Sequence, residues 1–162
     1  MTEFTIRPAV EADAPVILEL IRGLAEYERA PDQVVCDESR LRASLFGERP
    51  EAEVLLACIG DQAAGFAVFF HNYSTWLGGK GIYLEDLFVR PEARGKGIGK
   101  ALLKAVAVIA KERQCGRMRW AVLDWNQPSI DFYRGLGAFA LDEWTLYQLN
   151  REAIERLADS EG

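Results

Sequence analysis

Residues 83–99 read Tyr83-Leu84-Glu85-Asp86-Leu87-Phe88-Val89-Arg90-Pro91-Glu92-Ala93-Arg94-Gly95-Lys96-Gly97-Ile98-Gly99. The first seven are apolar or aromatic apart from two acids, which predicts a strand, and Pro91 ends it. Three glycines then make a turn. Beyond it Ile98, Leu102, Leu103, Val106, Ile109 and Ala110 recur at helical spacing, so a helix opens inside the turn. The first amides of a helix lack intrahelical partners and carry partial positive charge, and glycine lets backbone approach an anion closely. Arg94, Lys96 and Lys100 add cationic side chains. A plain strand-to-helix loop would also use glycines for tightness. As a phosphate turn, the stretch has no Ser or Thr after Lys96 or Lys100, which excludes a P-loop. Its Gly95-x-Gly97-x-Gly99 spacing departs from the dinucleotide fingerprint, leaving Arg94-x-x-Gly97-x-Gly99 as the motif.

The 162 residues, 49% of them hydrophobic, can bury one core, so a single domain over residues 1–162 is expected. A net charge of −6 argues against a nucleic-acid binder and is compatible with a cationic substrate. Cys36, Cys58 and Cys115 are odd in number and form no CxxC pair, so neither a metal site nor a disulfide framework is expected. No stretch approaches the roughly 20 apolar residues of a membrane span, and the N-terminus reads as no signal peptide. The expectation is a soluble cytoplasmic protein without membrane or nucleic-acid partners.

In chain order, residues 4–7 predict a strand ended by Pro8. Asp13 and Pro15 open a helix whose apolar stripe runs to about Tyr27. Glu26 and Glu28 oppose the macrodipole at its end, a mild misfit that makes Glu28 a candidate site residue, although a solvated charge would read the same way. Asp37 caps a second helix ended by Gly47. Strands follow over 53–59 and 62–70, joined by a Gly60-Asp61 hairpin turn. Residues 73–81 read as a loop, and the strand and helix of the opening stretch run from there to about Arg113. A strand over 117–123, a helix begun by Pro128 and ended by Gly137, a strand over 144–149 and a helix capped by Asn150 complete the order. In the strand of residues 83–89, strict alternation would put Tyr83, Glu85, Leu87 and Val89 on one face and Leu84, Asp86 and Phe88 on the other. Two adjacent acids there are unusual, because a buried carboxylate without a partner is costly; a rim position would also accommodate them.

The motif Arg94-x-x-Gly97-x-Gly99, after a strand holding Glu85 and Asp86, resembles the pyrophosphate motif of the GNAT (Gcn5-related) N-acetyltransferases. Ile6-Arg7-Pro8-Ala9, Tyr27-Glu28, Tyr83-Leu84-Glu85-Asp86, Trp125-Asn126 and Phe132-Tyr133 resemble the diamine (spermidine/spermine) N1-acetyltransferase branch. Ala121-Val122-Leu123-Asp124-Trp125-Asn126-Gln127 is more similar to the thialysine Nε-acetyltransferase branch. The resemblance implies an α/β fold whose mixed central sheet holds acetyl-CoA in a splayed strand pair and is flanked by helices. It also implies a homodimer, to which the apolar residues of 144–149 could contribute a strand paired across subunits.

The same resemblance implies roles residue by residue. Glu85 would deprotonate the substrate amine, through water, and Tyr133 would protonate the departing CoA sulfur; an amine attacks a thioester only as the free base. Read without the resemblance, Tyr133 is an ordinary half-buried helix tyrosine. Backbone of Leu87, Phe88 and Val89 would pair with the pantetheine arm. Arg94, Gly95, Lys96, Gly97, Ile98, Gly99 and Lys100 would hold the pyrophosphate, and Asn126, Gln127, Pro128, Ser129 and Tyr133 would reach the pantetheine and its surroundings. Tyr27, Glu28, Glu85, Asp86, Arg119, Trp120, Ala121 and Glu143 would line the pocket for a small cationic amine. His71 matches no family site and is read as structural. Polyamine enzymes carry Asp-Pro before the loop tryptophan, whereas Ser74-Thr75 precede Trp76. One pocket carboxylate is therefore missing, which favours a short diamine or a lysine-like amino acid. The alternatives are transfer to a protein lysine or N-terminal amine, and a silent acyl-CoA sensor; keeping both Glu85 and Tyr133 argues against the sensor.

Overall fold

The computed structural model describes residues 3–162. They form two compact units, a larger one up to Leu123 and a smaller one from Asp124 to Gly162. In the larger unit five strands lie in sequence order: β1 (Thr5–Pro8), β2 (Glu53–Ile59), β3 (Gln62–Ser74), β4 (Gly79–Val89) and β5 (Met118–Arg119). The first four pair antiparallel and β5 joins β4 in parallel, so the sheet is mixed. Three helices accompany it: α1 (Ala14–Tyr27), α2 (Glu38–Phe46) and α3 (Ile98–Glu112).

Helix α1 starts as expected, with Pro15 in its first turn, but Asp13 does not cap it through its side chain. The carboxylate instead accepts from Arg7 at 2.7 and 2.9 Å and from the Val10 amide at 2.7 Å, tying β1 to the helix entry. Asp37 does cap α2, accepting from the Arg40 amide at 2.8 Å. Ile17, Leu18, Leu20 and Leu41 of these helices pack with Val54, Leu56, Phe66 and Phe88 of the sheet. Each such side chain contributes about 1.5–3 kcal/mol on burial. β2 is buried along both faces: Leu55 and Ala57 alternate with Leu56 and face the side of α3, which contacts β1 to β4 and buries Leu102, Leu103 and Val106.

Three expectations are corrected. The loop of residues 73–81 shrinks to a hairpin tip of 75–78, because the ladder continues to Ser74↔Gly79 and Gly78 takes the left-handed turn conformation, φ 67°. The strand over 117–123 is reduced to β5, paired only at Ile82↔Met118 and Tyr83↔Arg119. Residues 144–149 form no strand. A strand exists only where its amides and carbonyls meet a neighbour, and β propensity alone does not supply one.

In the smaller unit, Asn126 is buried and caps α4 (Gln127–Gly135), accepting from the Ser129 amide. Asn150 caps α5 (Arg151–Ala158), accepting from Ala153. Between them Trp144, Leu146, Tyr147 and Leu149 are exposed. Among the described residues no helix is long and apolar enough to cross a membrane.

Candidate active site

The register of β3 with β4 decides where the acids of residues 85 and 86 point. Phe69 pairs with Leu84 and Val68 with Asp86, so Glu85 has no partner and forms a β-bulge. Phe66 and Val68 belong to the core under α1 and α2. Cross-strand partners share a face. Asp86 and Phe88 therefore face α1, whereas Leu84, opposite Phe69, faces α3. Strict alternation is broken: the bulge puts Tyr83, Glu85, Asp86 and Phe88 on the α1 face, and Leu84, Leu87 and Val89 on the other. Two contacts agree. A Cβ on Gly23 of α1 would lie 2.9 Å from the Phe88 ring, and one on Gly99 of α3 would lie 3.7 Å from Val89 Cγ2.

Glu28 directly follows α1, so the bulge gathers three carboxylates on one face. Their mutual effect is visible in their proton affinities. Burial, then the charges of Glu85 and Glu28, push the half-buried Asp86 carboxyl up to about 7. Burial and the Glu85 charge also raise Glu28 and the Tyr83 hydroxyl. A cation placed beside this cluster of acids would relieve their mutual repulsion. Sequence reasoning missed Tyr83, whose ring lies 5.3 Å from Phe70, because the alternation left it without a role. Arg119 pairs with Tyr83, and Trp120 and Ala121 follow it. Ser74 is buried, and its hydroxyl accepts from the Leu77 amide at 3.1 Å, so it serves the hairpin tip; Trp76 is exposed beyond it.

After β4 the chain makes one 3₁₀ turn, Pro91–Ala93, and reaches the glycines. Gly95 and Gly97 have φ of 78° and 80°, and a Cβ at either would meet nothing within 4 Å. Gly97 is the N-cap of α3, so the free amides of the helix open onto a turn without side-chain cover. Lys96 and Lys100 are exposed beside it. The Arg94 Nε donates to the Val89 carbonyl at 2.9 Å, and its guanidinium carbon lies 4.9 Å from the Tyr27 ring centre and 5.6 Å from that of Phe88. In the larger unit, β4 beyond Tyr83 is paired by β3 alone, which leaves Leu87, Phe88 and Val89 one open backbone edge. A bare turn at a helix start, a clamped cation and an open strand edge fit a phosphorylated ligand with an extended amide arm.

The remaining residues named from the sequence lie in the smaller unit. Tyr133 is half-buried in α4 with its ring 5.4 Å from that of Phe132. Asn126 to Ser129 form the start of that helix, and Glu143 is exposed in the turn before Trp144. His71 takes a structural place: its Nε2 lies 3.3 Å from Arg113, which holds Glu53 through two bonds of 2.6 and 2.8 Å.

Residues 18–138 match the family model described as the acetyltransferase (GNAT) family. The chain belongs to this family. It is an N-acetyltransferase by that membership, and GNAT enzymes use acetyl-CoA as co-substrate. Among relatives, it is 44% identical to the thialysine N-epsilon-acetyltransferase of Bos taurus, with 94% of this chain and 96% of that one covered. It is 37% identical to the spermidine/spermine N(1)-acetyltransferase-like protein 1 of Homo sapiens, over 98% of this chain and 24% of that protein. Among solved structures, an integron cassette protein from V.cholerae superposes with a TM-score of 0.81 at 27% identity, with 99% of each chain covered. The mixed sheet with helices on both faces is thus the GNAT fold, as the sequence motif implied.

Proposed function

We infer that this GNAT enzyme transfers acetyl from acetyl-CoA to a small primary amine, a thialysine-like amino acid or a short diamine. The observation that carries the reading is the bulge at Glu85, which turns two adjacent acids toward Glu28 on the α1 face. Such a pocket attracts an ammonium group, and an attacking amine must then lose its proton to a nearby base. Glu85, exposed at the bulge, is the base, acting directly or through water; Asp86 and Glu28 hold the cation, with Tyr27, Arg119, Trp120, Ala121 and Glu143 completing the acceptor side. Tyr133 supplies the proton to the sulfur. The amides of Gly95 to Lys100 with Arg94 hold the diphosphate, the edge of Leu87 to Val89 takes the pantetheine amides, and Asn126 to Ser129 support that arm. When bound, acetyl-CoA supplies the activated acyl carbon. The family match runs from residue 18 to 138 and so spans both units, which supports one catalytic domain.

The preference for a short amine rests on Ser74, a hairpin-tip residue where a polyamine enzyme would carry an acid, and on the identity to an enzyme named for thialysine. The exposed Trp144, Leu146, Tyr147 and Leu149 support a homodimer in which this segment meets a second copy; light scattering at micromolar concentration giving the 18.1 kDa monomer mass would exclude it. We propose a cytoplasmic location, where the acetyl-CoA that GNAT enzymes use would be supplied. The decisive experiment is an acceptor panel with acetyl-CoA, scored by CoA thiol release, comparing thialysine, 1,3-diaminopropane, spermidine, spermine and a lysine peptide. Thialysine or the diamine should lead; clear preference for spermine or the peptide would overturn the pocket assignment.

A further inference from the structure

The clamp around Arg94 joins the end of α1 to the phosphate turn. Tyr27 is the last residue of α1 and neighbours Glu28, on the acceptor side. Its ring nevertheless lies under the guanidinium of Arg94, which belongs to the phosphate turn. Phe88 forms the rest of that bed. It is 6% exposed, packs edge-on against Phe66 at 6.5 Å, and fits against α1 because Gly23, one turn before Tyr27, has no side chain. The carbonyl of Val89 takes the Arg94 Nε. The guanidinium thus has two rings and one carbonyl as neighbours, and its Nε hydrogen bond leaves the two Nη groups for another acceptor. Among the described residues no carboxylate lies within ion-pairing distance of Arg94, in contrast to Arg7, Arg42, Arg90 and Arg113.

We propose that Tyr27 is a positioning residue for acetyl-CoA: its ring holds the Arg94 guanidinium flat so that both Nη groups are presented to the diphosphate. This rests on the reading of the glycine turn as the diphosphate site. A planar guanidinium satisfies this geometry and an ammonium does not, since stacking on a ring and two parallel donors are both properties of the fork. The arrangement links the end of α1 to the phosphate turn, so one aromatic residue serves co-substrate binding from the acceptor side.

The test measures CoA affinity by calorimetry for the unaltered chain, Tyr27→Phe, Tyr27→Leu, Arg94→Gln and the double variant Tyr27→Leu/Arg94→Gln, with circular dichroism to verify folding. Loss of the ring should weaken CoA binding by about 2- to 30-fold, the range of a partly desolvated cation–π contact. Tyr27→Phe should stay within about 2-fold, because the ring and not the hydroxyl carries the contact. In the Arg94→Gln background, Tyr27→Leu should add less than about 2-fold, the sign of a shared contact. Acetyl-pantetheine, which lacks the diphosphate, should bind the unaltered chain and Tyr27→Leu within about 2-fold of each other in the same calorimetry. If Tyr27→Leu leaves CoA affinity intact and raises only the amine KM at saturating acetyl-CoA, Tyr27 is an acceptor residue and the inference fails while the acetyltransferase reading stands. Additive losses in the double variant also refute it. If the leucine variant does not fold, Tyr27→Phe decides: a loss above about 5-fold assigns the effect to the hydroxyl and overturns the proposal. Failure of the unaltered chain to bind CoA would refute the reading of the turn, and the inference with it.

Discussion

Replacing Asp86 by Asn tests the pocket through stability, independently of substrate. The folded chain holds a proton on Asp86 up to about pH 7, whereas the unfolded chain releases it near the ordinary 3.8. The folded state therefore binds more protons across that window, and stability falls as pH rises through it. At about 1.4 kcal/mol per tenfold change in proton affinity, the full cost above pH 7 is at most about 4 kcal/mol, reduced by whatever water reaches the half-buried carboxyl. About 3 kcal/mol of it develops between pH 5 and pH 8. Asn keeps the shape and cannot ionise. Urea denaturation at pH 5, 6, 7 and 8 should show the variant gaining on the unaltered chain by up to that amount, and the gap should level off above about pH 7. A gap that stays constant with pH would show that the carboxyl is not held neutral, and the argument that the bulge turns both acids toward α1 would fall. A bound cation would pull the same proton off, so amine binding near pH 7 should release protons, read as a buffer-dependent binding enthalpy that Asp86→Asn abolishes.

Tyr133→Phe removes one hydroxyl and should lower kcat by roughly 10- to 1000-fold with folding intact; near-normal single-turnover rates would reduce Tyr133 to packing. Gly97→Glu adds a side chain at φ 80° and a negative charge at the start of α3, so acetyl-CoA affinity should collapse in a chain that still folds; unchanged calorimetric affinity would place the diphosphate elsewhere. Gly23→Ala gains about 1 kcal/mol of helix propensity but drives a methyl to 2.9 Å from the buried Phe88 ring. Overpacking of about 1–3 kcal/mol should outweigh the gain, and a variant more stable by about 1 kcal/mol would show that the Phe88 bed yields easily.

Much of this was legible in the chain. The periodicity of Ile17, Leu20 and Leu102, the caps at Asp37 and Asn150, and the Gly60-Asp61 turn are local signals, and the structure has each element where they point. The glycine turn was legible for the same reason: its function depends on backbone conformations that Gly95 and Gly97 display. What escaped depends on distant partners. Asp13 reads as a cap in the sequence because six residues of separation do not reveal that the fold sets Arg7 beside it. Residues 144–149 have strand composition, but composition does not provide a ladder. The faces of Glu85 and Asp86 depend on one unpaired position in a ladder with β3, which no property of β4 alone reveals.

That unpaired position makes chain length, rather than side-chain identity, the sensitive variable in this sheet. Leu84 and Asp86 are separated by one residue yet face opposite sides, so the count of residues between Phe69 and Val68 on one strand and Leu84 and Asp86 on the other sets which face everything downstream occupies. One residue inserted opposite Glu85 would give it a partner and restore strict alternation. Either the upstream half, with Leu84, or the downstream half, with Asp86 and Phe88, would then have to turn over. Drift by substitution can soften this pocket gradually, but an insertion there would invert it in a single step. The tip of the same hairpin, at residues 75–78, could lengthen without touching that count.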